Sequence, residues 1–292
     1  MSANALRSDM RPDIDQAATA AAAPVPNVPA FVRARGGVRV AFATAGGRTH
    51  PLTVAESGGY RIRFPRNAQT CEGTIINTGG GMTGGDLMQV DVALAPGAQA
   101  LLTSQAAEKL YRAEADPTRI EVALRLGAGS TLAWLPQEMI LFDRARLVRR
   151  LTVDMAQDAS LTLAESIVFG RTAMGEEVVE GQLDDRWSIR RGGRLVLVEA
   201  VRLEGAVAAR LARRAVGGGA RALATIVHIA PDAEARLEDM RAALAGGASE
   251  CGASAWNGLV VARLIGHDPA ALRADLVRTI ETFRGQRMPR YW

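Results

Sequence analysis

The segment Asn77-Thr-Gly-Gly-Gly-Met-Thr-Gly-Gly-Asp86-Leu-Met-Gln-Val-Asp-Val-Ala-Leu94 decides between two folds. Three of its glycines satisfy G-x-G-x-x-G, a fingerprint that binds a dinucleotide only where the last glycine opens a helix facing the pyrophosphate. Here the apolar residues of the last five positions alternate at period two, which predicts a strand. No Gly-Lys-Ser/Thr follows, so the lysine of a phosphate-binding P-loop is missing. The segment favours a β-rich fold, and a dinucleotide-dependent enzyme using Gly79–Gly84 is kept as the alternative.

The glycines of this loop are predicted to have a structural role, by allowing a backbone conformation or a close contact that a side chain would prevent. So many glycines in one loop indicate positive φ angles or the close approach of another segment. The residues that we assign to this structural role are Asn77, Gly79, Gly80, Gly81, Gly84 and Gly85.

Beyond the loop, a pattern of strand, tight turn and strand recurs with a period of roughly 30 residues. The repeats begin at Val90, Ile120 and Leu151, and a looser fourth copy begins at Trp187. Each repeat leaves one apolar face that its neighbour must cover. The sequence therefore predicts a mainly β fold with a stacked, β-helix-like or solenoid body.

Two α-helices are predicted near the C-terminus. The first covers about residues 232–244 and the second about 268–283, with a strand at 259–265 between them. Asp268 is a suitable N-cap for the second helix, and Pro269 suits its first position.

Composition limits the domain organisation and the partners. Residues 1–30 are rich in alanine and proline and are predicted to form a disordered tail, followed by a single β-rich domain over 31–292. The apolar run in that tail is too short for a membrane span and lacks the layout of a signal peptide. The net charge is +4, but the sequence shows no basic stripe with interleaved aromatic residues, the pattern typical of proteins that bind single-stranded nucleic acid. We therefore expect a cytoplasmic protein that binds neither membranes nor nucleic acid.

The metal-binding residue types show no spacing typical of a permanent site. His50, His228 and His267 lie far apart, and Cys71 and Cys251 form no paired motif. Nickel, copper and zinc sites favour clustered imidazole or thiolate ligands, so we expect no tightly bound cofactor. No G-x-S-x-G elbow is present, and Ser, His and Asp show no ordered triad grouping, so we expect a protein that is not an enzyme.

Glutamates recur near the second strand of each repeat, at Glu108, Glu138, Glu165 and Glu199. Stacking would bring equivalent positions together, which predicts a file of oxygen ligands. The alternative is that these glutamates pair with arginines, such as Arg112, Arg146 or Arg171, on a solvated face. Glu138 and Glu165 lie in apolar runs, where a carboxylate costs several kcal/mol unless it is paired or binds a cation.

Four segments together resemble the successive motifs of the urease accessory protein D family (UreD, also called UreH). They are Asn77–Asp86, Leu102–Arg112, Trp134–Asp143 and Glu165–Glu176. The resemblance continues through Arg186-Trp187 and 254–266 to the closing Pro-Arg-Tyr-Trp, and so covers about residues 31–292. Glu108 departs from it, because a small or hydroxylated residue is expected there.

The resemblance implies a non-enzymatic scaffold that links urease apoprotein to the accessory proteins UreF and UreG and assists nickel insertion. It also implies that Ni²⁺ passes through the protein in transit. Weak, serial oxygen contacts suit transit, because a strong site would not release the ion. The candidate contacts are Glu138, Glu165, Asp86, Asp143 and Glu176.

Overall fold

The computed structural model of the protein describes residues 33–65 and 71–292. The predicted disordered tail over residues 1–30 lies outside them and stays a prediction. The described residues form seventeen strands. In chain order they are β1 (Arg35–Ala45), β2 (Arg48–Ser57), β3 (Tyr60–Arg63), β4 (Cys71–Asn77), β5 (Leu87–Leu94), β6 (Gln99–Ser104), β7 (Glu108–Leu110), β8 (Thr118–Leu126), β9 (Thr131–Leu135), β10 (Met139–Leu141), β11 (Arg146–Met155), β12 (Ser160–Phe169), β13 (Glu180–Arg191), β14 (Arg194–Ala206), β15 (Ala222–Ile229), β16 (Glu250–Trp256) and β17 (Leu259–Gly266).

The strands form two sheets. The seven-stranded sheet has the order β14-β13-β11-β8-β5-β1-β2, and its five middle strands, from β13 to β1, pair in parallel. The ten-stranded sheet runs β16-β17-β15-β12-β9-β6-β4-β3, with β10 joined to β12 and β7 joined to β10. In this sheet β12, β9, β6 and β4 also pair in parallel.

Consecutive strands from β4 to β13 alternate between the two sheets, apart from the short β7 and β10, so the chain winds as a solenoid. The two strands of each predicted repeat lie in opposite sheets and pair with the equivalent strands of the next coil. Register aligns the repeats, because Val90 pairs with Val122 and Val122 with Leu151. The predicted mainly β, stacked fold is confirmed. The strand predicted after the glycine loop is β5, so no helix begins there to support a dinucleotide.

The fourth predicted repeat is a hairpin and not a coil. Strands β13 and β14 pair antiparallel within the seven-stranded sheet, and Arg191 faces Arg194 across a two-residue turn. Gly192 and Gly193 both have positive φ, 54° and 79°. Two such residues form the primed turn that joins antiparallel strands directly. The chain therefore reverses here, whereas the earlier turns carry it across to the other sheet.

Apolar side chains fill two layers. The first lies between the sheets and includes Val92, Leu124 and Leu163. The second lies between the outer face of the ten-stranded sheet and the helices, where Leu276 and Ile280 belong to one buried cluster with strand residues. The helices are α1 (Val207–Leu211), α2 (Leu237–Leu244) and α3 (Pro269–Arg284). No described helix has both the length and the apolar character needed to cross a membrane.

Helices α2 and α3 confirm the two predicted C-terminal helices, whereas α1 was not predicted. The Asp268 side chain accepts a hydrogen bond from Ala270 N (2.8 Å), as expected of an N-cap. Helix α2 begins later than predicted, after a 3-10 turn over Ala233–Arg236 that has no side-chain cap from Asp232. Without such a cap, the first turn keeps the tighter i→i+3 bonds that satisfy its free groups.

The glycine loop is shaped by close packing as well as by backbone conformation. Gly81 has a φ of 145°, and a Cβ there would lie 2.4 Å from the Tyr111 ring. Gly84 has no positive φ, but a Cβ there would lie 2.5 Å from Asp116 O and 2.6 Å from Ala113 Cβ. The loop is therefore pressed against the segment that follows β7.

We expect Gly84→Ala to destabilise the protein by about 1–3 kcal/mol, because the added methyl group must displace backbone. Urea unfolding of the purified protein measures this change. The matched control is Gly252→Ala in β16, where a Cβ meets nothing within 4 Å. Equal stability of the two variants would show that the loop is not tightly packed.

Candidate functional site

The two ends of the solenoid differ in the length of their connections. Chain passing from the seven-stranded to the ten-stranded sheet makes tight turns at 95–98, 127–130 and 156–159. Chain passing back uses longer connections, and because β5, β8, β11 and β13 are parallel, as are β4, β6, β9 and β12, these connections gather at one end. We call this the long-loop end; it consists of residues 78–86, 105–117, 136–145 and 170–179.

The four segments that carry the family resemblance all contribute to the long-loop end. Each of them overlaps one of its four connections. The resemblance is therefore concentrated on one surface of the solenoid, although the segments are separated by about 30 residues in sequence. Loops placed by a rigid scaffold are the usual location of binding functions.

Successive connections are joined by backbone hydrogen bonds. Met82 N donates to Lys109 O (2.7 Å), Glu108 N to Glu138 O (2.9 Å) and Gly170 N to Leu141 O (2.7 Å). The short strands β7 and β10 provide these contacts. The long-loop end is thus one connected surface.

Aromatic and arginine side chains cover part of this surface. The rings of Tyr111 and Phe142 meet edge to face with centroids 5.0 Å apart. The Arg171 guanidinium stacks over Phe142 at 4.5 Å, and the Tyr111 hydroxyl donates to Gly80 O (3.1 Å). Partly exposed aromatic and arginine groups of this kind are enriched at protein interfaces.

A cleft of about 620 Å³ lies at the same end. Its charged lining is balanced in sign, which suits a polar protein surface better than a small anion or cation. The charged residues are Arg112, Arg144, Arg146, Glu114, Glu180 and Glu204.

Three of the predicted nickel contacts precede strands of the seven-stranded sheet at the long-loop end. Asp86 is buried, and its carboxylate accepts from Ala34 N and Thr83 N, both at 2.8 Å. Asp143 accepts from Glu180 N (3.1 Å). Glu176 pairs with Arg171 at 2.8 Å, and this hydrogen bond lowers the pKa of the Glu176 carboxyl. The fold thus brings these three acids to the long-loop end. Each of them already accepts a hydrogen bond from a backbone N–H group or an arginine.

Glu138 and Glu165 lie on different sides of the ten-stranded sheet. Glu138 pairs with Arg273 of α3, in the layer between sheet and helices. Glu165 pairs with Arg149 of β11, between the two sheets. The glutamates of the repeats therefore do not form one continuous file. Glu199 is also separate from the others, because it lies in the β14 hairpin and pairs with Arg263. The fourth repeat is a hairpin, so its glutamate is not stacked on the others.

The interior of the solenoid holds a buried charged cluster. Arg149 donates from Nη1 to Glu165 Oε2 (2.6 Å) and from Nε to Asp185 Oδ1 (2.9 Å). The indole N–H groups of Trp134 and Trp187 donate to Glu165 Oε1 (2.8 Å) and Asp185 Oδ1 (3.0 Å). Arg149 is 2% exposed and each carboxylate about 5%. We call these five residues the interior cluster.

Burial and pairing oppose each other within the interior cluster. Burial raises the pKa of Glu165, while Arg149 and the Trp134 N–H oppose this rise. Burial alone would lower the pKa of Arg149, but Asp185 and Glu165 outweigh it and raise that pKa. The guanidinium therefore remains charged. Removing one partner of such a buried pair usually costs about 3–5 kcal/mol, because the other charge is left uncompensated.

Sequence reasoning missed Arg149 and Asp185, although a signal for both is present. Arg149 lies between Leu147 and Leu151, and Asp185 between Leu183 and Trp187, in strands whose inward positions alternate with outward ones. In a strand whose alternate residues are apolar and face the core, a charged residue at one of those alternate positions is expected to be buried. Glu165 fits the same rule and was identified through its apolar neighbours.

Glu108 forms a second desolvated site, at the base of the glycine loop. Its Oε1 accepts from Asn77 Nδ2 (2.9 Å), and Asn77 Oδ1 accepts from Gly79 N (2.9 Å). Burial raises the pKa of the Glu108 carboxyl from 4.5 to about 7, against the lowering effect of the Asn77 hydrogen bond. Glu108 thus connects β7 to the loop that precedes β5.

Within residues 33–65 and 71–292, no group of three or more His, Cys, Asp or Glu side chains has an arrangement that could hold a metal ion. The acids of the long-loop end and of the interior cluster are bound mainly to arginines and backbone N–H groups. A cation would have to compete with these partners at every position. The arrangement can offer single carboxylate contacts but not a closed coordination shell.

Comparison with known proteins agrees with the resemblance of the four segments. A family model described as UreD urease accessory protein matches residues 34–292. The chain is 50% identical over 276 residues to "Urease accessory protein UreD" of Methylobacterium sp. (strain 4-46), an alignment covering 92% of this chain and 98% of that protein. It is 46% identical over 261 residues to the protein of the same name from Azorhizobium caulinodans, covering 89% and 96%.

The raised pKa of Glu108 predicts a specific pH dependence of stability. A carboxyl whose folded pKa exceeds its unfolded value contributes stability below about pH 4.5 that is lost as the pH rises through about 7. Glu108→Gln keeps the acceptor for Asn77 but has no charge to desolvate. Its free energy of unfolding should match wild type at pH 4.5 and exceed it by up to about 3 kcal/mol at pH 8.

Urea unfolding across this pH range measures the difference, and Glu250→Gln at an exposed position of β16 is the control. A pH-independent difference for Glu108→Gln, like that of the control, would show that Glu108 is not desolvated.

Proposed function

The chain belongs to the UreD family of urease accessory proteins, and on that basis we propose that it is a scaffold for urease maturation that helps to insert nickel. In this proposal it links urease apoprotein to the accessory proteins UreF and UreG in the cytoplasm. The accompanying proposal is that it is not an enzyme, in keeping with relatives that are named accessory proteins.

The observation that carries the proposal is the gathering of the four family segments at the long-loop end. A connected surface with the Tyr111–Phe142 pair and a cleft of mixed charge has the composition of a protein interface. We propose that one partner docks on this surface. Free Cys71 and Cys251 suit a reducing compartment.

We further propose that nickel is cargo that makes transient contacts with carboxylates on its way through the complex. Asp86, Asp143 and Glu176 offer such contacts at the rim, and Glu165 lies inside the solenoid near the same end. Glu138 is a contact on the helix side of the sheet. Since every one of these acids has a resident partner, exchange with a passing cation would be weak and reversible, as transit requires.

We expect Glu138→Gln and Glu165→Gln to reduce urease activation by about tenfold or more, because a neutral amide is a far weaker ligand for Ni²⁺ than a carboxylate. Activation is measured as activity and nickel content of urease matured with each variant. A pull-down with the partner accessory proteins, run in parallel, should show unchanged assembly.

Glu121→Gln is the control, since Glu121 is exposed on the outer face of the seven-stranded sheet. Full activation by both test variants would mean that Glu138 and Glu165 are structural. Loss of assembly would instead assign them to the scaffold itself.

A further inference from the structure

The interior cluster brings carboxylates from opposite sheets onto one guanidinium. Glu165 comes from β12 of the ten-stranded sheet, and Asp185 comes from β13 of the seven-stranded sheet. Arg149 of β11 reaches between them, with bonds of 2.6 and 2.9 Å. The guanidinium occupies the position at which a cation would contact both carboxylates.

The cluster is not fully satisfied by protein groups. Arg149 Nη2 is buried, and no described residue accepts a hydrogen bond from it. A buried donor without a protein partner marks a place for water, which buried polar sites commonly hold. Two carboxyl groups in the cluster share one guanidinium.

We propose that Arg149 is a fixed countercation that prevents Glu165 and Asp185 from trapping a divalent metal ion. This inference rests on the proposed function and names the residue that keeps the interior compatible with nickel transit. Without Arg149, the Glu165 and Asp185 carboxyl groups would face each other in a site largely closed to water, and a divalent cation could take the place of the guanidinium as their countercharge. Such a pair would hold a divalent cation too firmly to release it.

The chemistry of arginine suits this role. A guanidinium stays protonated in proteins, so its charge does not vary with physiological pH. Its planar fork bonds both carboxylates at once, whereas a lysine would supply a single point charge. Arg149 thus leaves Glu165 available for brief contacts without creating a stable metal site.

The test is nickel binding by the full-length protein with Arg149→Met, a substitution that keeps an unbranched apolar stem and removes the charged guanidinium. Equilibrium dialysis with Ni²⁺ should show about 100-fold tighter binding than wild type. Adding Glu165→Gln to Arg149→Met should abolish that gain. Arg150→Met is the matched control, because Arg150 pairs with Asp184 on the outer face and should leave nickel binding unchanged.

Removing a buried charge can prevent folding, so the thermal stability of Arg149→Met is measured with and without Ni²⁺. Folding that depends on nickel supports the proposal, since the metal then replaces the guanidinium. A variant that folds without gaining nickel affinity overturns it. A variant that stays unfolded even with nickel also overturns it, because Arg149 is then purely structural.

This readout does not involve urease. If Arg149→Met traps nickel while Glu138→Gln and Glu165→Gln activate urease fully, the proposed passage is wrong and the countercharge role stands. If the two glutamate variants lose activation and Arg149→Met gains no affinity, only the inference about Arg149 fails.

Discussion

Val92, Leu124 and Val153 lie side by side in three consecutive parallel strands, and each covers apolar surface that its neighbours would otherwise expose. This in-register stacking is the constraint on which the rest of the protein depends. Because the coil strands β5, β8, β11 and β13 are parallel, as are β4, β6, β9 and β12, the tight turns between coils lie at one end and the long connections at the other. The long-loop end is thus a consequence of the stacking, and so is the convergence of the four family segments there.

The same stacking explains the interior cluster. Glu165 and Asp185 occupy inward positions in facing sheets, where each would cost several kcal/mol if left unpaired. Arg149 is the side chain long enough to reach both from β11, and the indoles of Trp134 and Trp187 complete their bonding. The interior cluster lies near the strand ends that lead into the long connections. It is therefore close to the long-loop end, where the four family segments meet.

Much of this fold could be predicted from the sequence, because the period-two alternation and the repeat near 30 residues are local signals. The 3.6-residue pattern of α3 and its Asp268 cap were equally clear. The hairpin at Gly192-Gly193 was mistaken for a coil, since both are strand, turn and strand, and only the turn geometry separates them. The partners of Glu138 and Glu165 could not be predicted, because Arg273 and Arg149 reach them through tertiary packing.

The acids at the long-loop end and in the interior cluster each have a resident partner, and under the proposed function their exchange with a passing cation would be weak. The most direct test of nickel delivery is the nickel content of urease purified from cells that lack this chain. We predict folded urease subunits with little nickel and little activity, restored when the chain is supplied. Urease with normal nickel content and full activity from such cells, grown without added nickel, would contradict the account.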